Sequence, residues 1–336
     1  MNVLVTDALW ERLQPLLPPP PKRRFRFPGR KRLDYRKILT GILFVLKTGI
    51  AWDDLPAELG CGCGKTCRRA LQAWHQAGVW VKLHAVLLAE LNGAEQIDWR
   101  RALIDASFAK APEGGEDTGP NPTDRGKSGS KHHVVTDAQG IPLSATVTAA
   151  NVNEVTEALH VLLDIPPVGG KPGPKRQRPE ILQGDRGYDS QPLRQLLRWL
   201  GIKPELAARN TEHGSGLGVF RWFVERTISW LHSFGRLRRR LDRLTDIQDA
   251  FLQLACDIIC LRFIVSFRWV CRIRCRPWRR GRRTRGGRSR SEPSEADVGR
   301  VAWQGGFVAR RALRAGAMVL RWIASASATT PAAGVR

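Results

Sequence analysis

The hydrophobic pattern of this chain changes its period near residue 100, and the change restricts the fold to a helical segment followed by a sheet. Before that point apolar residues recur at helical spacing, as at Ile38, Ile42, Val45 and Leu46. After it, residues 132–136 and 143–148 alternate and are β-branched, with turn residues between them, which predicts a hairpin. Helices and strands therefore occupy different parts of the chain.

The first 92 residues are predicted to form a small all-helical domain. Thr6 and Asp34 are suitable helix N-caps, and Gly49 is a suitable stop for the second helix. Two more helices are expected over residues 65–76 and 81–91. Lys65, Arg68 and Arg69 would lie on the outer face of the third helix, in a helix-turn-helix-like pattern typical of DNA binding. Basic helix faces also occur where only solvent is met, so the pattern alone leaves both interpretations open.

Residues 93–264 are predicted to form an α/β domain. Three strands come first, and helices then alternate with two shorter strands at residues 181–184 and 202–208. A long helical stretch is expected from residue 217 to 263. The order β-β-β-α-β-α-β-α predicts a mixed sheet with helices on its faces.

The positive charge of the chain is concentrated near its C-terminus. The formal net charge is +24, but residues 265–336 hold 17 arginines and only three acids, a net +14. This tail has little amphipathic pattern, so we expect it to be disordered and to derive from read-through or frameshifted coding sequence. The other 264 residues carry +10, which favours a nucleic-acid partner over an anionic membrane surface.

Composition excludes several other classes of protein. No run of 18 apolar residues predicts a membrane span, and the N-terminus lacks the pattern of a signal peptide. Seven cysteines are too few for a disulfide framework, which favours a reducing cytoplasm. Cys61, Cys63 and Cys67 lack a fourth zinc ligand at standard spacing.

Three acids are the candidate catalytic residues. Asp105 and Asp185 each follow an apolar strand, and Glu225 lies in an aromatic helical stretch. Taken singly, Asp105 could be a turn or cap residue, and Glu225 could pair with Arg221 or Arg226. Together, three carboxylates from neighbouring elements could hold two Mg²⁺ ions for phosphoryl transfer.

Several separated motifs resemble those of the DDE transposases of bacterial insertion sequences. They occur in the family's order: residues 4–18, 41–56, Ile104-Asp105, GDRGYD at 184–189, 211–218, and RWFVERT at 221–227. The resemblance covers about residues 4–264. It implies a ribonuclease H-like catalytic fold, with Asp105, Asp185 and Glu225 as the metal-binding triad.

The sequence departs from this family in two places. In the signature Tyr-x2-Arg-x3-Glu-x6-Lys, Arg221 and Glu225 keep their spacing, but Gly218 and His232 replace Tyr and Lys. Arg236, Arg238 or Arg239 could replace that Lys. Residues 60–67 also lack the aromatic pattern that the family implies there.

The resemblance implies a transposase that binds the terminal inverted repeats of an element, cleaves the ends and joins them to target DNA. It implies Mg²⁺ or Mn²⁺ as cofactor, double-stranded DNA as partner, no membrane, a homo-oligomer on DNA, and a place in the bacterial cytoplasm at the nucleoid. The candidate DNA-binding residues are Arg221, Lys131, Lys65, Arg68, Arg69, Arg30, Lys31 and Arg236. Alternatives are a nuclease of the same fold without strand transfer, a catalytically inactive DNA-binding regulator, and an RNA-cleaving enzyme.

Other polar and aromatic residues are given structural roles at this stage. We expect His132 and His133 to be satisfied histidines or part of a polar face, and Asp189 to cap the following helix. Trp222 and Trp230 are expected in the core.

Overall fold

The computed structural model describes residues 4–20, 25–26, 31–209 and 218–274. Its first part is helical, as predicted. The helices are α1 (Asp7–Leu13), α2 (Tyr35–Thr48), α3 (Gly64–Gln76) and α4 (Val79–Gly93). The Thr6 hydroxyl accepts the N–H of Leu9, the Asp34 carboxylate accepts two N–H groups of the first turn of α2, and Gly49 ends α2 in the left-handed conformation. These three cap predictions are confirmed.

The second part is a six-stranded mixed sheet with helices. In chain order its elements are β1 (Arg101–Lys110), β2 (Gly119–Pro120), β3 (Ser128–Asp137), β4 (Pro142–Ala149), α5 (Glu154–Leu163), β5 (Ile181–Gly184), α6 (Gln191–Trp199) and β6 (Lys203–Leu206). Strand β1 lies between β3, which is antiparallel to it, and β5, which is parallel. Strand β6 extends the sheet in parallel beyond β5, while β2 and β4 both pair with β3. The fold is ribonuclease H-like, as predicted.

The last part of the described chain differs from the single helix predicted over residues 217–263. It forms α7 (Gly218–His232), α8 (Gly235–Arg238) and α9 (Thr245–Arg274). The helical path is interrupted because the chain turns to meet the end of β1, where the N–H of Arg240 donates to the carbonyl of Lys110. Helix α9 then continues ten residues beyond the predicted boundary at 264. The rest of the predicted tail lies outside the described residues.

The N-terminal helices and the sheet share one hydrophobic core. Helix α9 contacts α3, α4 and β4, so it lies between the two parts. The buried His84 of α4 contacts both α9 and the sheet: its Nδ1 is 2.9 Å from Asp257 Oδ1 on α9, and its Nε2 is 3.1 Å from the carbonyl oxygen of Leu143 on β4. The packing of the hydrophobic core is continuous across residue 92, and the division into two domains there stays a prediction.

Two glycines allow the backbones of α2 and α8 to touch. A Cβ atom added to Gly49 would lie 2.9 Å from the Cα of Gly235, and one added to Gly235 would lie 2.7 Å from the Cα of Gly49. Both distances are shorter than Cβ contacts in folded proteins. This glycine junction, Gly49 with Gly235, therefore needs residues without side chains.

Within the described part of the chain, no helix has both the length and the apolar character needed to cross a bilayer.

A cavity of about 300 Å³ lies between α9, α4 and β4, and Asp249 lines it. Burial, together with the charges of Asp164 and Asp246, raises the pKa of Asp249 to about 7. Its Oδ2 accepts from the Gln253 amide at 3.3 Å, and a backbone hydrogen bond from Val147 offsets only part of the shift. At neutral pH this carboxyl group therefore opposes folding.

We predict that Asp249→Asn stabilises the protein above pH 7 and not at pH 4. The folded state keeps a proton on Asp249 that the unfolded chain loses near pH 4, so stability falls as the pH rises from about 4 to about 7. Asparagine removes this loss, and the free energy of unfolding at pH 8 should rise by about 4 kcal/mol, since each pH unit between about 4 and about 7 contributes about 1.4 kcal/mol. Urea unfolding at both pH values measures it. The exposed Asp53→Asn is the control, and an equal gain at both pH values would contradict the assignment.

Candidate active site

The sheet brings Asp105 and Asp185 side by side. Strands β1 and β5 run parallel, with Ile104 paired to Gly184, so the next residue of each strand is one of the two aspartates. Neighbouring strands are about 4.8 Å apart. Asp185 directly follows β5, as predicted. Asp105 was expected to close its strand, but it lies in the middle of β1, because β1 continues along β3 after β5 has ended.

Backbone N–H groups hold both aspartates. Asp185 Oδ1 accepts the N–H of Gly187 at 2.9 Å, because the chain makes a short 3-10 turn at Arg186–Tyr188 immediately after β5. Asp105 Oδ1 accepts the N–H of Ala106 at 2.8 Å. Each carboxylate keeps a second oxygen for another ligand.

Glu225 reaches this edge from α7. The helix runs alongside β1: the guanidinium of Arg101 lies 4.5 Å from the ring centre of Phe220, and His232 Nε2 lies 3.1 Å from Ser107 Oγ. Glu225 lies between these two contacts and binds Arg221, with Oε1 2.8 Å from Nε. Both side chains are about half exposed, so the pair faces solvent. The salt bridge between Glu225 and Arg221, one of the alternatives considered from the sequence, is thus present.

The electrostatics of Asp105 indicate that Asp185, Glu225 and Arg221 lie near it. Burial, with smaller contributions from the negative charges of Asp185 and Glu225, raises the pKa of Asp105 to about 6, while the Ala106 N–H and the positive charge of Arg221 oppose the shift. Three carboxylates that repel one another at a partly open edge favour a cation in their midst. Such a cluster is a donor set that suits a hard divalent metal ion.

The carboxylates are not arranged as a finished metal site. Among the residues described by the structure, no group of three His, Cys, Asp or Glu side chains is close enough to hold a metal ion. Glu225 is bound to Arg221, and the charges of the two aspartates repel each other. A divalent cation would require Glu225 to exchange Arg221 for the metal, a change that its exposed position permits.

Three of the predicted DNA-binding residues are accessible on the N-terminal part. Lys31, Lys65 and Arg69 are exposed. Arg68 is partly buried because its Nε donates to Asp242 Oδ1 at 3.0 Å. Arg30 lies outside the described residues.

Two other predicted DNA-binding residues are buried, which corrects the expectation that they contact phosphate. Lys131 is 4% exposed, and its ammonium group binds Glu154 Oε1 at 3.1 Å and the Val152 carbonyl at 3.0 Å. Arg236 is 1% exposed and lies 3.4 Å from Asp242 and over the Trp52 ring. Long basic side chains on predicted strands and helices are assigned to the surface by default, and here the partners Glu154 and Trp52 lie far away in sequence.

The signature's missing Lys has two exposed substitutes. His232 stands at that position, but it is partly buried against Ser107, and burial lowers its pKa. Arg238 and Arg239 are exposed at the end of α8, whereas Arg236 is not. This leaves the first two as candidates for a contact with DNA.

Several structural expectations can also be compared with the structure. His132 and His133 are buried histidines on β3; His133 Nε2 lies 2.8 Å from Thr148 Oγ1. The cap of α6 is the Ser190 hydroxyl and not Asp189, which binds Arg194 at 2.8 Å. Trp222 is 47% exposed and not in the core, because its face of α7 points to solvent beside Arg226.

No role was predicted for Glu154, Gly187 or Tyr188, and the structure brings all three close to Asp185. An acid in the first turn of a helix is the ordinary complement of the helix dipole, so Glu154 carried no distinguishing signal. The motif GDRGYD contains the other two, but only the fold shows what they approach.

A ribonuclease H-like sheet with acids from β1, β5 and a following helix defines a class of enzymes that act on nucleic acids. Comparison with known families is more specific. Residues 5–84 match the family "Putative transposase of IS4/5 family (DUF4096)", and residues 100–258 match "Transposase DDE domain".

Two proteins of Burkholderia cepacia are similar in sequence. One is "Putative transposase for insertion sequence element IS402", 55% identical over 161 residues, which are 48% of this chain and 74% of that protein. The other is "Insertion element IS402 uncharacterized 16.2 kDa protein", 53% identical over 119 residues, which are 35% of this chain and 81% of that protein. The chain belongs to the DDE transposases of the IS4/5 family, which are enzymes of insertion sequences that act on DNA and use divalent metal ions.

Proposed function

We propose that this transposase binds the terminal inverted repeats of its element, cleaves the DNA ends and joins them to target DNA. The observation that supports the catalytic part most is the register of β1 and β5, in which Asp105 and Asp185 follow the paired residues Ile104 and Gly184. The charges of Asp185 and Glu225 also contribute to the raised pKa of Asp105, as expected for acids close enough to share a cation. We assign the three carboxylates as the ligands of two Mg²⁺ or Mn²⁺ ions.

The residues of the site divide the work as follows. When bound, divalent ions supply activation of the attacking oxygen and stabilisation of the leaving oxygen. Asp105 and Asp185 are held by the backbone and provide the fixed side of the site. Glu225 provides the adjustable side, since its present partner Arg221 is on the same half-exposed turn. Released from Glu225, Arg221 would bind a phosphate of the DNA strand.

End recognition is assigned to the N-terminal helices, in a domain of residues 1–92 before the catalytic domain of residues 93–264. Lys65 and Arg69 lie on the exposed face of α3, and Lys31 and Arg30 belong to the basic segment before α2. Positive charge on this surface would bind the phosphates of the duplex. Since two element ends must be joined to one target, the working form would be a homo-oligomer on DNA, at the bacterial nucleoid.

The alternatives make different predictions for one assay. A same-fold nuclease would cleave ends but would not join precut ends to a target plasmid. A catalytically inactive regulator would shift DNA in a gel without Mg²⁺-dependent nicking. An enzyme for RNA would prefer an RNA substrate of the same sequence.

We predict that Asp105→Asn, Asp185→Asn and Glu225→Gln each abolish Mg²⁺-dependent cleavage of element ends while leaving end binding intact. Each change removes a negative ligand and preserves the size of the side chain. Cleavage is followed on labelled DNA that contains the flanking ends, and binding by gel shift. Glu180→Gln is the matched control, because Glu180 is exposed just before β5, at the end opposite Asp185. A triad variant that cuts at the normal rate would refute the assignment.

We predict that Lys65→Ala/Arg69→Ala weakens end binding and makes it less sensitive to salt. If each side chain contacts one phosphate, the slope of log affinity against log salt should fall by about two. Fluorescence anisotropy at several salt concentrations measures it. Lys82→Ala, an exposed lysine of α4, should leave the slope unchanged. The same slope in the double variant and the wild type would exclude α3 from the DNA interface.

A further inference from the structure

Glu154 lies against Asp185 with only the Cα of Gly187 between them. A Cβ atom added to Gly187 would be 2.3 Å from Glu154 Oε2 and 3.0 Å from Asp185 Oδ1. Any side chain at position 187 would therefore push the two carboxylates apart. The glycine of the GDRGYD motif lets a carboxylate from α5 approach one from the end of β5.

Lys131 holds Glu154 in this place. The Lys131 ammonium binds Glu154 Oε1 at 3.1 Å, donates to the Val152 carbonyl at 3.0 Å and lies 4.9 Å from the ring centre of Phe108. One oxygen of Glu154 is thus bound by a buried cation, and the other lies on Gly187. This arrangement fixes the carboxylate while it stays about one quarter exposed.

The Tyr188 hydroxyl gives an independent sign that something else binds at this edge. Tyr188 is fully buried, and its hydroxyl has no hydrogen-bond partner among the described residues. Burial raises the pKa of this phenol, and the negative charges of Glu154, Asp105 and Asp185 raise it further, so the hydroxyl lies near these carboxylates. An unsatisfied buried hydroxyl costs free energy, which a bound oxygen ligand or a metal-bound water would recover.

We propose that Glu154 is a further carboxylate of the metal-binding edge, acting beside Asp185, and that Lys131 is the residue that positions it. This inference rests on the proposed metal site of Asp105, Asp185 and Glu225. A hydrated divalent cation carries water molecules as well as direct ligands, and carboxylates around it hold those waters. The Lys131–Glu154 pair adds no net charge to the edge, so it can supply an oxygen there without added repulsion.

A simpler role for Glu154 would be to neutralise buried Lys131, and a double variant separates the two. If neutralisation is its only role, Glu154→Gln leaves an unpaired cation that repels the metal, and adding Lys131→Met removes that cation and restores metal binding. If Glu154 acts on the metal, the double variant stays defective.

The experiment is a titration of the full-length protein with Mn²⁺ alone, in which free Mn²⁺ is measured by electron paramagnetic resonance. Glu154→Gln should raise the apparent Kd for Mn²⁺ by about tenfold, the loss typical of groups that support a metal site. The double variant Glu154→Gln/Lys131→Met should show a similar loss. Glu157→Gln removes one charge from the next turn of α5 and should bind Mn²⁺ as the wild type does.

Two results would overturn the inference: an unchanged Kd in Glu154→Gln, or wild-type affinity in the double variant. If Glu154→Gln does not fold, judged by thermal melting, Glu154→Asp is used. It draws the carboxylate back by one methylene, and wild-type affinity in it would count against the inference equally. Asp185→Asn in the same titration distinguishes a failure of the role of Glu154 from a failure of the proposed metal site. Weak binding there with normal binding in Glu154→Gln removes only the role of Glu154, whereas normal binding in Asp185→Asn removes the metal site itself.

Discussion

The parallel pairing of β1 with β5 is the constraint on which the candidate site depends. Ala102, Leu103 and Ile104 are buried almost completely, and they hold β1 in one register between β3 and β5. A slip of one residue would turn every side chain of the strand to the opposite face of the sheet. The position of Asp105 beside Asp185 is thus set by the apolar residues that precede it.

A second set of buried charges joins the helical part to the sheet. Asp242, just before α9, accepts hydrogen bonds from Trp52 and Arg68 and lies 3.4 Å from the guanidinium of Arg236. Two charged groups and an indole from separate parts of the chain therefore meet at one carboxylate. Because an unpaired buried charge is costly, removal of the Asp242 carboxylate would leave the buried Arg236 without its ion pair. The helices that would bind DNA are in this way held against those beside the candidate site.

Local chemistry explains what could be predicted from the sequence. Helix caps at Thr6 and Asp34, the hairpin of β3 and β4, and Asp185 at the end of β5 all follow from residues close together in the chain. The misassigned residues depend on distant partners. Lys131 was predicted to lie at the surface because its partner Glu154 is 23 residues away in the chain. Arg236 was predicted to lie there because Trp52, over which it packs, is far away in the chain.

The length of β1 and the break between α7 and α9 could not be predicted from the sequence for a related reason. Asp105 was predicted to end its strand because an acid follows three apolar residues, yet β3 supplies hydrogen bonds for five residues more. The break between α7 and α9 follows from the backbone hydrogen bond between Arg240 and Lys110. The helical spacing of apolar residues does not predict this contact. In both cases a backbone partner far along the chain overrides the local pattern.

The glycine junction between α2 and α8 has a consequence for how this protein can change over time. Most tight contacts tolerate a larger residue on one side if the other side becomes smaller. At Gly49 and Gly235 neither residue has side-chain atoms that could be removed, since the contact is already between two backbones. No second substitution at the junction can compensate for the first. The end of α2 in the N-terminal helical part and the start of α8 beside the candidate site therefore stay fixed against each other, even though 186 positions separate the two glycines in the chain.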